Sequence, residues 1–167
     1  SALGLTSIDG IQFFNDLTYL DCSLNNLTSL PELSDGLTVL LCISNQLTSL
    51  PELPDGLTVL SCYNNQLTSL PELPESLNTL YSFNNQLTSL PELPDGLMVL
   101  GCNDNDLNIL PELPVGLTHL VCESNQLTSL PELPESIYSL YFSDNPIECV
   151  TNYLDDFIEL TAYPLCG

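Results

Sequence analysis

The chain has 167 residues, 22 of them Asp or Glu and none Lys or Arg, so its formal net charge at pH 7 is −22. Without cationic side chains it lacks the contacts that hold nucleic-acid phosphates or anionic lipid headgroups, and no stretch has the length and apolarity of a membrane-spanning helix. A hydrophobic content of 44% still supplies a core, which separates the chain from acidic disordered segments.

The N-terminal stretch carries Leu3, Leu5, Ile8, Ile11, Phe13 and Phe14. These are apolar enough to cap a stack, and Leu5 to Asp16 reads as a worn half-repeat. From Leu17 onward one unit recurs every 20 residues, starting at Leu17, Leu37, Leu57, Leu77, Leu97, Leu117 and Ile137, the last copy incomplete. Self-similarity at this period marks a solenoid, in which a unit buries its apolar face only against its neighbours.

Within the third unit the order is Leu57-x-x-Leu60-x-Cys62-x-x-Asn65-x-Leu67-x-x-Leu70-Pro71-x-Leu73-Pro74. Around Leu60 and Cys62 apolar positions alternate with others, the period of a half-buried strand. Asn25, Asn45, Asn65, Asn85, Asn105, Asn125 and Asn145 follow the strands. Buried there, their amides are expected to bond the backbone of the adjacent coil as a ladder, since an unpaired amide costs about 1–3 kcal/mol. Pro51 and Pro54, with their equivalents, remove amide donors and fix φ, which excludes an α-helix. An extended, polyproline-like convex wall is expected instead. Gly or Ser at 36, 56, 76, 96, 116 and 136 then turns the chain into the next strand.

The repeats stop at Asn145-Pro146. Beyond them Tyr153, Leu154, Phe157 and Ile158 have helical spacing with Asp155, Asp156 and Glu159 between them, which predicts a short amphipathic capping helix over Thr151–Leu160. The whole chain, residues 1–167, is expected to be one domain: an N-terminal cap over 1–16, seven repeats over 17–148 and a C-terminal cap over 149–167.

The unit resembles the leucine-rich repeat family, Leu-x-x-Leu-x-Leu-x-x-Asn-x-Leu, and its Pro-x-Leu-Pro segment is most similar to the short, 20-residue bacterial class found in secreted effectors and cell-surface proteins. The departures are Cys at the usual third Leu position, Ser82 and Phe142. The resemblance implies an α/β-type repeat solenoid, a right-handed horseshoe with one short parallel strand per repeat on the concave side.

Cys22, Cys42, Cys62, Cys102 and Cys122 share one inward slot and are expected to be inert, buried thiols acting as small hydrophobes. Cys149 and Cys166 flank the capping segment outside that slot. A bridge between them would staple the cap by about 3 kcal/mol and would fit an exported protein. No signal peptide is evident, and Ser1-Ala2 leaves export open.

Two acidic columns run along the outer wall. Glu52, Asp55, Glu72, Glu75, Glu92 and Asp95 are its candidate metal ligands, because carboxylate oxygens suit Ca²⁺. No EF-hand-like loop accompanies them, so surface decoration competes with a weak Ca²⁺ track, and no other cofactor is expected.

The repeats differ most at the outward-facing strand positions. Val39, Leu41, Ile43, Val59, Tyr63, Tyr81 and Phe83 should form an apolar and aromatic patch, with Asn103, Asp104, His119 and Glu123 as an acidic rim and Tyr141 further along the same face. Such patches mark interaction sites, although β-branched and aromatic residues also simply suit strands. His119 is the only histidine, and no nucleophile, phosphate loop or Cys/His ligand set accompanies it, so no enzyme is expected. The leading reading is a protein-binding module of an exported or cell-surface bacterial protein, with self-association as a second use of the patch. A structural or adhesive spacer, in one form cation-dependent, is the alternative. Ice or glycan binding through the columns at Thr28, Thr48, Thr68, Thr88 and Thr128 and at Ser29, Ser49, Ser69, Ser89 and Ser129 ranks below both.

Overall fold

The computed structural model describes residues 4–152 and 164–166. Leu3 and residues 153–160 of the expected capping helix lie outside them. Among the described residues nine short strands follow in chain order: β1 (Tyr19–Asp21), β2 (Val39–Leu41), β3 (Val59–Ser61), β4 (Thr79–Tyr81), β5 (Val99–Gly101), β6 (His119–Val121), β7 (Ser129–Leu130), β8 (Ser139–Tyr141) and β9 (Cys149–Val150). β1 to β6 and β8 form one seven-stranded sheet in chain order. Every pairing is parallel and displaced by one repeat, Leu20 against Leu40, Leu40 against Leu60 and so on to Leu120 against Leu140. The described residues contain no α-helix; their one helical element is a 3-10 turn over Ile11–Phe13.

The core is a spine of equivalent side chains. Leu37, Leu40, Cys42 and Leu47, with their counterparts in the next coils, are buried and pack into one cluster. Full burial of a Leu is worth roughly 1.5–3 kcal/mol, and here each is covered only because another coil lies on either side. The strand Leu is held inward because its neighbours on both sides point to the opposite face of the pleat. Leu50, Leu53, Leu70 and Leu73 are half-buried along the outer wall. Among the described residues that wall carries no helix and no strand before β7, and each coil of it ends in a tight turn such as that in which the Leu57 N–H donates to the Pro54 carbonyl at 3.0 Å.

The asparagine ladder joins coil to coil. Asn45 Nδ2 donates to the Cys22 carbonyl of the preceding coil and to the Cys42 and Ile43 carbonyls of its own. Its Oδ1 accepts the Leu27 N–H at 3.0 Å. The same pattern recurs at Asn65, Asn85, Asn105, Asn125 and Asn145. At the N-terminal end, Asn25 Oδ1 accepts from the Leu5 N–H, so the worn half-repeat takes the place of a preceding coil, with Ile8 and Ile11 packed on the core.

At the other end β7 and β9 pair as a separate two-stranded sheet, and Val150 bridges to Leu165. Cys149 and Cys166 are joined in a disulfide. Asn152 grips the Leu133 backbone from both sides, accepting its N–H at 2.8 Å and donating to its carbonyl at 2.9 Å.

One feature of the backbone is only partly legible in residue propensities. The residue before each ladder Asn is left-handed: Leu24, Ser44, Asn64, Asn84, Asp104, Ser124 and Asp144 all have φ between 52° and 57°. This turns the chain out of the strand while aiming that N–H along the stack, as in Leu24 N to Ile43 O at 2.8 Å. Asn and Asp tolerate this region, whereas a bulky Leu is strained there. Leu24 is exposed and has little packing to lose. Leu24→Asn is therefore expected to raise stability in urea denaturation by about 1 kcal/mol, and Asn64→Leu to lower it by a similar amount.

Candidate functional site

The outward face of the seven-stranded sheet is where one coil differs from the next. Because the strands pair one repeat apart, equivalent residues form columns with a spacing of about 4.8 Å. The third column reads Ser23, Ile43, Tyr63, Phe83, Asn103, Glu123 and Ser143. Tyr63 and Phe83 stack with ring centroids 4.1 Å apart and planes 12° from parallel. Tyr81, from the next column of the same coil as Phe83, stands edge-on to Phe83 at 6.4 Å and 79°. Three aromatic rings thus make a right-angled corner.

Gly101 makes room for that corner. It is the register partner of Tyr81, and a Cβ at this position would lie 2.9 Å from the Tyr81 ring and 3.8 Å from the Phe83 ring. The Tyr81 ring occupies the space that a side chain at 101 would take. Glycine in a strand often marks such a close approach, a signal that was present in the sequence and not used.

The remaining expected site residues divide into groups. Val39, Leu41, Ile43 and Val59 lie on the same face and are half-buried among their neighbours. The more accessible aromatic surface belongs to Tyr81, 37% exposed, and to Tyr141, 55% exposed, at the far end of the sheet. Asn103 donates to Asp104 Oδ2 beside the corner, and Glu123 Oε1 accepts from the Ser143 hydroxyl at 2.6 Å. His119 does not join Glu123 in a pair. Its Nδ1 lies 3.0 Å from the Thr118 hydroxyl, and its ring meets Tyr138 edge-on at 4.5 Å. Tyr138 precedes the strand, in a column that otherwise reads Thr18, Thr38, Thr58, Asn78, Met98 and Thr118, so the repeat alignment gave it no place on the sheet face. There Thr hydroxyls bond the preceding coil, Thr58 Oγ1 to Thr38 O for example.

No family model and no curated protein matches the sequence. Solved structures do match. YopM from Yersinia enterocolitica WA-314 is similar with a TM-score of 0.83 and 37% identity, over 85% of this chain and 32% of that one. YopM from Yersinia pestis, a leucine-rich effector protein, is similar with a TM-score of 0.85 and 37% identity, over 89% and 43%. A Shigella effector leucine-rich repeat domain is similar with a TM-score of 0.75 and 35% identity, over 87% and 65%. The chain is a leucine-rich repeat protein. It spans less than half the length of either YopM chain.

On the opposite side of the repeats, the acidic columns line shallow grooves between successive coils. Glu72, Glu75, Glu92 and Asp95 surround one, floored by Leu73 and Leu93. Glu52 and Asp55 line two others, with Glu32 and Asp35 in one and Glu72 in the other. Among the described residues, no three Asp, Glu, His or Cys side chains converge as a metal-binding group.

The five cysteines of the inward slot are free and buried. Burial pushes the Cys62 thiol up to about 12. Burial first, then the neighbouring Glu123 charge, pushes Cys122 to about 12. Cys22, nearest the end, is raised to about 11 by burial and by Asp21, and burial holds Cys42 and Cys102 well above the ordinary range. The reactive form of a cysteine is the thiolate, so at neutral pH these are packing residues. No helix among the described residues is long and apolar enough to cross a membrane.

Proposed function

We propose that this leucine-rich repeat protein is a non-enzymatic protein-binding module of an exported or cell-surface bacterial protein. Its binding face is the outward face of the seven-stranded sheet, the concave side of the horseshoe. The observation that supports this most is the aromatic corner of Tyr63, Phe83 and Tyr81, since rigid aromatic anchors carry a large share of binding energy at interfaces. The likeness to bacterial effector proteins supports the exported context. Val39, Leu41, Ile43 and Val59 would extend the contact on one side of the corner, and Asn103, His119, Glu123 and Tyr141 on the other.

The test is affinity capture of a defined partner by wild type and by a Tyr63→Ala/Phe83→Ala variant shown by circular dichroism to be folded. Loss of two buried anchors should weaken binding by about 100-fold. Equal capture by both proteins would move the site off this face.

The alternative is a structural or adhesive spacer of a larger surface protein. A cation-dependent spacer would use the grooves lined by Glu52, Asp55, Glu72, Glu75, Glu92 and Asp95. In that case CaCl₂ would raise the melting temperature more than NaCl at equal ionic strength, and an equal rise with both salts would remove the metal from the reading.

A further inference from the structure

We infer that the corner formed by Tyr63, Phe83 and Tyr81 is a subsite for a cationic side chain, an arginine or lysine carried by a basic peptide segment that runs along the third column of the sheet face. The inference rests on the protein-binding reading and specifies what kind of partner the face takes.

Three observations carry it. The first is geometry. Phe83 lies flat on Tyr63, and Tyr81 stands at 79° to Phe83, so two aromatic walls meet at nearly a right angle. The negative faces of aromatic rings attract ammonium and guanidinium groups; one face of Phe83 is taken by Tyr63, so the accessible ring at the corner is that of Tyr81, which is 37% exposed. An apolar anchor would be served as well by the aliphatic stretch at Val39 and Val59, which offers no such arrangement.

The second is the way the corner is opened. Gly101 leaves the neighbouring strand position empty, and the Tyr81 ring rests where its Cβ would be. A Cβ there would lie 2.9 Å from the Tyr81 ring, so any other residue would displace the ring from its present place in the corner.

The third is charge. Along the column beyond Phe83 come Asn103, which is bonded to Asp104, and then Glu123 two coils from Phe83, at roughly 10 Å. That is within reach of a second cationic side chain in an extended peptide, whose residues advance by about 3.3 Å each. Moreover, the chain has no Lys or Arg and a net charge of −22. An acidic partner segment would find no counter-charge on this surface, and like charges brought together oppose binding.

The experiment uses two fluorescently labelled nonapeptides, one with alternating Arg and Ala and one with Gln in place of Arg, titrated with the folded protein. Binding is read by anisotropy at 150 mM salt. The Arg peptide is expected to bind and the Gln peptide not to. Tyr81→Ala should weaken the Arg peptide by about tenfold, whereas Tyr81→Trp, which keeps an aromatic face, should hold it. Gly101→Val should act like Tyr81→Ala, with Tyr81→Ala keeping the test valid if the glycine variant is poorly folded. Asp104→Asn with Glu123→Gln should weaken binding by about threefold.

The control is Glu52→Gln/Glu72→Gln/Glu92→Gln, which removes more charge from the opposite wall and should change affinity less than about twofold. If that triple variant weakens the peptide as much as the Asp104/Glu123 pair, or if Tyr81→Ala has no effect, the peptide is held by net charge alone and the inference falls. Failure of the Arg peptide to bind wild type also overturns it. A partner that still needs Tyr63 and Phe83 would then leave the protein-binding reading standing, with a neutral or apolar anchor in the corner.

Discussion

Asn105→Ala is expected to lower the unfolding free energy by about 3–4 kcal/mol in urea denaturation followed by circular dichroism. The side chain is buried and every polar atom of it is used. Nδ2 donates to the Ser82, Cys102 and Asn103 carbonyls at 3.1, 3.1 and 3.2 Å, and Oδ1 accepts the Leu87 N–H at 2.9 Å. Truncation strands that N–H and at least one carbonyl between two coils, where a dry backbone group costs about 1–3 kcal/mol. The volume lost is small, so the penalty comes from unsatisfied polarity rather than from a cavity. Asn105→Asp should be worse, because it keeps the acceptor, removes the donors and buries a charge. Asn25→Ala at the half-exposed first rung should cost about 1 kcal/mol, since water reaches the groups it leaves. If the central and terminal substitutions cost the same, the ladder is not what couples neighbouring coils, and the leucine spine alone would hold the stack.

The parts of this architecture that are periodic were readable from the residues. A Leu that recurs every 20 positions can be buried only by stacking, so strand register, core and ladder follow from one physical requirement. What escaped is of two kinds. The left-handed residue before each ladder Asn is imposed by the need to aim an amide at the next coil; Asn64, Asn84, Asp104 and Asp144 suit that region, while Leu24, Ser44 and Ser124 do not announce it. The sheet face depends on differences between repeats, which the period does not constrain. There the sequence suggested a broad patch from Val39 to Phe83. Within that patch Tyr63, Phe83 and Tyr81 meet as a corner where Gly101 leaves room for the Tyr81 ring, and Val39 and Val59 lie half-buried on the same face. The contacts of the rim were not readable either: Thr118 and Tyr138 engage His119, and Ser143 engages Glu123. The capping helix over Thr151–Leu160 lies largely outside the described residues. The part of the cap that is described is held instead by β9, Asn152 and the Cys149–Cys166 disulfide.

Alkaline pH is expected to unfold the protein steeply, with the loss of stability beginning near pH 9 and growing towards pH 12. The five slot cysteines have folded-state pKa values raised from 9.0, to about 11 at Cys22, to about 12 at Cys62 and Cys122, and well above the ordinary range at Cys42 and Cys102. Burial is the first cause at every one of them. Below pH 9 the thiols are protonated in both states, and their contribution is fully present. Between the unfolded and folded values the unfolded chain gives up protons that the folded chain keeps. The unfolded state is therefore favoured by about 1.4 kcal/mol per pH unit for each cysteine. Several such groups acting together make a slope of several kcal/mol per unit, enough to exhaust an ordinary domain's stability within one or two units. Ser82 occupies the same slot and is fully buried, its hydroxyl 3.5 Å from the Gly101 carbonyl, so this fold accepts a group there that does not titrate. Replacing Cys42, Cys62, Cys102 and Cys122 together with Ala should flatten the stability profile between pH 9 and 11 while lowering stability at pH 7 through lost packing. If the variant and wild type lose stability in parallel above pH 9, the buried thiols do not set the alkaline limit.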